Sequence, residues 1–287
     1  MEKLILGNLF AEKCKLKKRK NEPPMITTNL FQDTSSHSIV ETLGPFSILE
    51  YIRDLSVSPE SAETAYFASM METRKRQLIA ALASSGVLVQ AGAMQMTFGD
   101  VEIKTEVQGA GDFMKKFVGS RVTGETALKP HYVGSGIVVL EPTYRYLLLE
   151  EIDKWDGGVV IEDGMFLACQ DTVKMGIVSR KSASSAFLGG EGLFNSILTG
   201  SGIAALESPV PRNELIEINL ENDVVKIDGN MAIAWSPGLE FTVGKASGSF
   251  IGSMATGEGL VNIYRGTGRV LVAPVQSNRG ISSPRTK

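Results

Sequence analysis

Three glutamates carry the spacing most suggestive of chemistry. Glu125, Glu191 and Glu258 each follow a glycine, in Gly124-Glu125-Thr126-Ala127-Leu128, Gly190-Glu191-Gly192-Leu193-Phe194 and Gly257-Glu258-Gly259-Leu260-Val261. If the three stretches are equivalent parts of a closed arrangement, their carboxylates form a ring. Such a ring could bind a hard cation or hold one carboxyl neutral with a raised pKa. The competing reading is structural: a turn carboxylate between glycines accepts backbone N–H bonds. The structural reading weighs more, so the three glutamates stand as metal candidates only, and no cofactor is expected.

Other reactive constellations are missing from the sequence. No GxSxG, P-loop, HExxH or GxGxxG occurs. The histidines are His37 and His131, too few for a histidine-based metal centre, and His131 reads as a strand or turn residue. Cys14 and Cys169 form no CxxC pair, which points to a reducing compartment and a cytoplasmic chain. The acidic run Glu150, Glu151, Asp153 and Asp156 beside Trp155 could meet a cation or partner, or simply be a solvated connector. An enzyme is not expected.

The elements that would position the glutamates repeat. Gly134-Ser135-Gly136-Ile137-Val138-Val139-Leu140-Glu141-Pro142 aligns with Gly200-Ser201-Gly202-Ile203-Ala204-Ala205-Leu206, and both align with Gly266-Thr267-Gly268-Arg269-Val270-Leu271-Val272. The copies are 66 residues apart, and a fixed long period marks a repeated structural unit. Each copy opens on two apolar runs around a glycine, at Gly92, Gly164 and Gly229, which reads as a hairpin. The repeated Gly190, Gly192, Asn195, Gly200 and Gly202, matched by Gly257, Gly259, Asn262, Gly266 and Gly268, form the structural motif. The third copy has one residue fewer between its Gly-Glu and Gly-x-Gly elements, a difference that a β-bulge can absorb.

Along the chain, residues 1–38 read as a disordered leader with a basic run from Lys13 to Lys20. Residues 39–86 read as a strand followed by helices. Ser38 to Leu43 makes the strand, Gly44-Pro45 ends it, and Phe46 to Leu55 makes a short helix. Ser58 caps a longer helix, with Pro59 at its first position, that runs to Gly86 and packs Phe67, Met70, Met71, Leu78 and Leu82 on the chain's own sheet. An exposed amphipathic helix here would instead dock a partner or a membrane surface. Gln77 to Gly99 is uncharged, but its glycines and polar residues favour a helix end followed by a buried strand over a membrane span. Residues 87–276 hold three units, about 87–152, 153–217 and 218–276, and residues 277–287 form a tail.

At the repeated GEGL-x-N…GxG pattern, over about Val87 to Gln276, the chain resembles the altered-inheritance-of-mitochondria family. Its fold is called TRAP-like, after the trp RNA-binding attenuation protein. The resemblance implies a mainly β fold of three pseudo-threefold related TRAP-like units, of double-stranded β-helix or barrel type, here with an N-terminal helical segment. It implies no established activity; eukaryotic members are associated with organisation of the mitochondrial inner membrane. The expected function is a non-enzymatic scaffold or interaction protein, self-associating or binding protein partners, with peripheral membrane contact as an extension. RNA or small-ligand binding, and a metal-binding barrel with a carboxylate ring, are the alternatives. Nucleic acid is disfavoured, because the net charge is −3 and the repeats share no matched basic positions.

Overall fold

A computed structural model describes residues 28–83, 85–104, 129–179, 181–182, 194–245 and 260–275. The fold is mainly β, in two sheets whose pairings are antiparallel except one. The first strands are β1 (His37–Leu43), β2 (Phe46–Tyr51), β3 (Arg76–Leu82), β4 (Val87–Val89), β5 (Met94–Lys104), β6 (His131–Leu140) and β7 (Tyr146–Glu151). There follow β8 (Val159–Ile161), β9 (Phe166–Gln170), β10 (Val173–Ser179), β11 (Lys181–Ser182), β12 (Phe194–Gly200) and β13 (Ile203–Ser208). The last are β14 (Ile216–Asp228), β15 (Ala232–Trp235), β16 (Glu240–Lys245) and β17 (Leu260–Val272). Among the described residues there is one α-helix, α1 (Ala62–Met70), which follows a 3-10 turn at Pro59–Ser61.

The first sheet runs β1-β2-β3-β6-β4-β9-β13-β7, with β5 on the side of β6. Strands along this whole path feed one apolar cluster, from Phe46, Ile48, Leu78 and Leu82 through Val87, Val138 and Leu167 to Ile203, Leu147 and Leu149, with Leu43 packed against it. A sheet whose ends share one core must curl, and this one makes a nearly closed barrel. The terminal strands lie close enough for their charges to interact: burial raises the Glu41 carboxyl on β1, Arg212 lowers it and Glu150 on β7 raises it. The second sheet runs β10-β12-β8-β15-β17-β16-β11, with β14 on β17. Trp235, Phe241 and Tyr264 pack there with ring centroids 5.1 to 5.6 Å apart.

One pairing pattern recurs at the 66-residue period. Phe166 pairs Leu206 and Ala168 pairs Ala205 across an irregularity, and Ala232 pairs Val272 and Ala234 pairs Leu271 across another. Met94 with Leu140, and Met96 with Val139, repeat the same step in the first copy. All three hairpins thus carry this irregularity, so it does not account for the residue missing between the glycine elements of the third copy; Gly124, Gly190 and Gly257, where those stretches begin, lie outside the described residues. Where described, the pairings of β12 with β10 and of β17 with β16 run without a shift.

Two expectations about the N-terminal region are corrected. Phe46–Tyr51 is a strand, not a helix, because it sits between β1 and β3 and hydrogen-bonds to both. The long helix stops at Met70, and Arg76–Leu82 is strand. Leu78, Ala80 and Leu82 face the barrel core while Ile79 faces a second cluster on the sheet's outer side. A strand buried on both faces loses its alternation and reads like a buried helix. Gln77 to Gly99 lies over β3, β4 and part of β5, and no helix among the described residues is long and apolar enough to cross a membrane.

Residues 28–38, read from sequence as the end of a leader, are folded. Leu30 and Phe31 pack on Leu49, Ile79 and Val139, and His37 is buried beside Tyr51 with ring centroids 5.9 Å apart. Residues 1–27 and 276–287 lie outside the described part.

Candidate functional site

The candidate glutamates Glu125, Glu191 and Glu258 all lie outside the described residues, as do Gly190, Gly192, Gly257 and Gly259. Among the described residues no cluster of histidine, cysteine, aspartate or glutamate has the grouping of a metal site. The other motif residues are placed. Asn195 is fully buried, and its Nδ2 donates to Ile161 O at 3.0 Å and to Glu162 Oε2 at 3.3 Å. Asn262 Nδ2 donates to Gly229 O at 2.8 Å. Each asparagine thus ties its strand to the end of a preceding strand or to the turn beyond it. Gly134, Gly200 and Gly266 share positive φ, at 114°, 92° and 123°, while Gly202 and Gly268 are at 132° and 156°.

His131, at the start of β6, has Nε2 3.3 Å from Asp171 Oδ2, and the same oxygen accepts from Gly86 N at 2.8 Å. The pair braces the entry to β4. Cys169 is buried on β9, and burial pushes its thiol up to about 12, so it is a poor nucleophile. Of the acidic run, Glu150 is buried, accepting from Trp155 Nε1 at 3.2 Å and from Arg212 Nη1. Trp155 in turn carries the Arg269 guanidinium 3.8 Å from its ring centroid. Glu150 and Trp155 are thus part of the packing, whereas Asp153 and Asp156 are exposed and Glu151 pairs with Lys154 at 2.7 Å.

The feature that self-packing does not explain is α1. Its row Thr64, Ala65, Ala68 and Ser69, with Ser61 just ahead of it, looks towards the sheet. These side chains line a cavity of about 260 Å³ whose far wall includes Ile52, Asp54, Val57, Arg74 and Tyr144. The large apolar side chains point away: Tyr66 is 62% exposed, Phe67 60%, Met70 66% and Met71 77%. No residue of α1 is buried. Spacings of three and four residues put these side chains together on one surface, and the Tyr66 and Phe67 rings lie edge to face at 5.5 Å. The expectation that Phe67, Met70 and Met71 pack on the chain's own sheet is therefore corrected. An ordinary surface helix turns its apolar stripe to the core, and α1 does the reverse.

What holds α1 is its frame. Beneath it, Glu50 takes Arg74 Nη1 at 2.7 Å and Arg76 Nη2 at 2.8 Å, and Lys75 Nζ meets Asp54 Oδ1 at 2.7 Å. Tyr144 OH also donates to Asp54. Burial alone would raise the Asp54 carboxyl, but the bonds from Lys75 and Ser56 outweigh it and hold its pKa below the usual value. Arg74 Nε is buried without a hydrogen-bond partner, a sign that the seam under the helix is loosely filled. Sequence reasoning had a usable signal here. The serine, threonine and alanine row at helical spacing is the face that can approach a sheet closely, which leaves Phe67 and Met70 outside.

Residues 70–275 match the family described as mitochondrial biogenesis AIM24. The chain belongs to the AIM24 family. An uncharacterised protein of Streptococcus pyogenes serotype M6 is 28% identical over 193 residues, covering 65% of this chain and 75% of its own. The crystal structure of a second Streptococcus pyogenes protein superposes with a TM-score of 0.53 at 24% identity, covering 72% of this chain and 90% of that one. At that identity the likeness concerns the fold. The AIM24 match starts at Met70, so nearly all of α1, with β1 and β2, precedes the matched region.

Proposed function

We propose that this AIM24-family chain is a non-enzymatic scaffold or interaction protein that presents α1 as a contact surface on a rigid β platform. The single observation that carries this reading is the outward placement of Tyr66, Phe67 and Met70 on a helix with no buried residue, and of Met71 just after it. A contiguous exposed patch of aromatic and methionine side chains is what protein contact surfaces are enriched in. In this reading the platform is three pseudo-threefold related TRAP-like units. The recurrence of one pairing step opposite Leu140, Leu206 and Val272, which are 66 residues apart, supports it.

The test is affinity capture from the native cell with the parent protein and with a Phe67→Ser, Met70→Ser variant as baits. Partners should fall away from the variant while its melting curve stays unchanged. An identical set of partners on both baits would remove α1 from the proposal. A second reading, small-ligand binding, is favoured by the cavity of about 260 Å³ under α1. Its size falls just below the roughly 300 Å³ at which small-molecule sites begin. Thermal-shift screening of the parent against Ala68→Leu, which narrows the cavity, separates that reading from the first. Peripheral membrane contact remains an extension of the scaffold reading, read out by vesicle flotation with the same variants.

A further inference from the structure

We infer that the occupant of the α1 surface is a second copy of this chain, packed helix against helix about a twofold axis; the inference rests on the contact-surface reading above. The patch is self-contained, with Phe67 near its centre and Tyr66, Met70 and Met71 around it. From their exposures, these four side chains offer on the order of 500 Å² per copy, so a symmetric contact removes roughly 1,000 Å² in total, the lower bound for a specific interface. A nine-residue helix is about 13 Å long, which confines the contact to this one face. Twofold contacts of this kind need no second surface, since each patch is the complement of the other.

The surrounding charges argue against a lipid occupant. Glu60, Glu63 and Glu72 are exposed around the patch. Of the neighbouring cations, Arg74 and Lys75 face inwards to Glu50 and Asp54, and Arg53 is exposed. An interfacial helix on an anionic membrane requires the opposite pattern, cations on its polar side and few acids. In a helix pair the glutamates of the two copies sit at the rim in water, where solvent and salt screen their repulsion.

Sedimentation velocity on the full chain tests the inference across a wide concentration range, with Cys14→Ser as background. The parent should show a reversible monomer–dimer equilibrium. Phe67→Ser with Met70→Ser should weaken it by about thirtyfold or more, the loss expected for an interface centre, without changing the far-ultraviolet spectrum of the monomer. In the same background Met70→Cys should oxidise to a disulfide dimer, while Val224→Cys, exposed on β14, should not. A parent that stays monomeric throughout overturns the inference, and so does a dimer that the double substitution leaves intact. A monomer that binds anionic vesicles through α1 overturns it in favour of lipid. Should the parent be monomeric while the helix variant still loses its captured partners, self-pairing fails and the contact-surface reading stands. If the variant alters neither, both fail.

Discussion

Asn195 and Asn262 tie β12 and β17 to backbone carbonyls of preceding hairpins from positions one residue apart. Ser196, not Asn195, pairs Ile161, whereas Asn262 itself pairs Ile227, the residue 66 positions further on. Residues two apart share a face of a strand, and Ile197 and Tyr264, two beyond each asparagine, belong to one apolar cluster, so both asparagines keep the same face of the sheet despite the shift. Asn195→Ala should cost about 1–3 kcal/mol, since it removes the bonds to the Ile161 carbonyl and the Glu162 carboxylate in a dry interior. Asn262→Ala should cost less, because it breaks one bond at a site with partial access to water. Urea unfolding of the two single variants measures the difference.

Glycine positions with similar φ should differ widely in tolerance. At Gly134, with φ 114°, a Cβ would come within 2.2 Å of Asp100 O on the paired strand. At Gly164, with φ 75°, nothing lies within 4 Å. Gly164→Ala should therefore show only backbone strain, about 1 kcal/mol, while Gly134→Ala should cost a few kcal/mol or prevent folding. Expression yield and thermal midpoints of the pair decide this.

Glu50 pairs with two arginines, one of them nearly enclosed: the Arg76 side chain is 7% exposed and lies 4.1 Å over the Tyr146 ring. Removing one partner of a buried ion pair leaves an uncompensated charge, so Glu50→Ala should destabilise by about 3 kcal/mol. Arg76→Met, which removes the buried cation and keeps the packing on Tyr146, should cost clearly less. Chemical denaturation of both variants at low and high salt tests the ordering.

Acid should loosen the frame under α1 through Asp54. Its folded carboxyl titrates below the unfolded value, which is about 4, so between the two values the unfolded chain binds more protons. The stability it contributes is whole above the unfolded pKa and is lost as pH falls through the folded one. Asp54→Asn should flatten the acid limb of the stability–pH profile and leave its neutral limb parallel to the parent's. Unfolding curves from neutral to acid pH, read against an unrelated surface variant such as Asp223→Asn, provide the check.

The repeat was legible in the sequence because it is written in local chemistry. Gly134, Gly200 and Gly266 mark positive-φ positions, and the 66-residue period between them reappears as a recurring pairing step. The strand at Ser38 to Leu43 and its glycine turn were legible for the same reason. Two things needed the tertiary structure. Whether Phe46–Tyr51 and Arg76–Leu82 are strands depended on neighbours far along the chain, because apolar residues buried on both faces carry no period of their own. The side on which α1 keeps its large residues depended on what lay beneath it. Its serine, threonine and alanine row settled towards the sheet, and Phe67 and Met70 were left to face outwards. A sequence states which residues share a helix face, but only packing decides which face turns inwards.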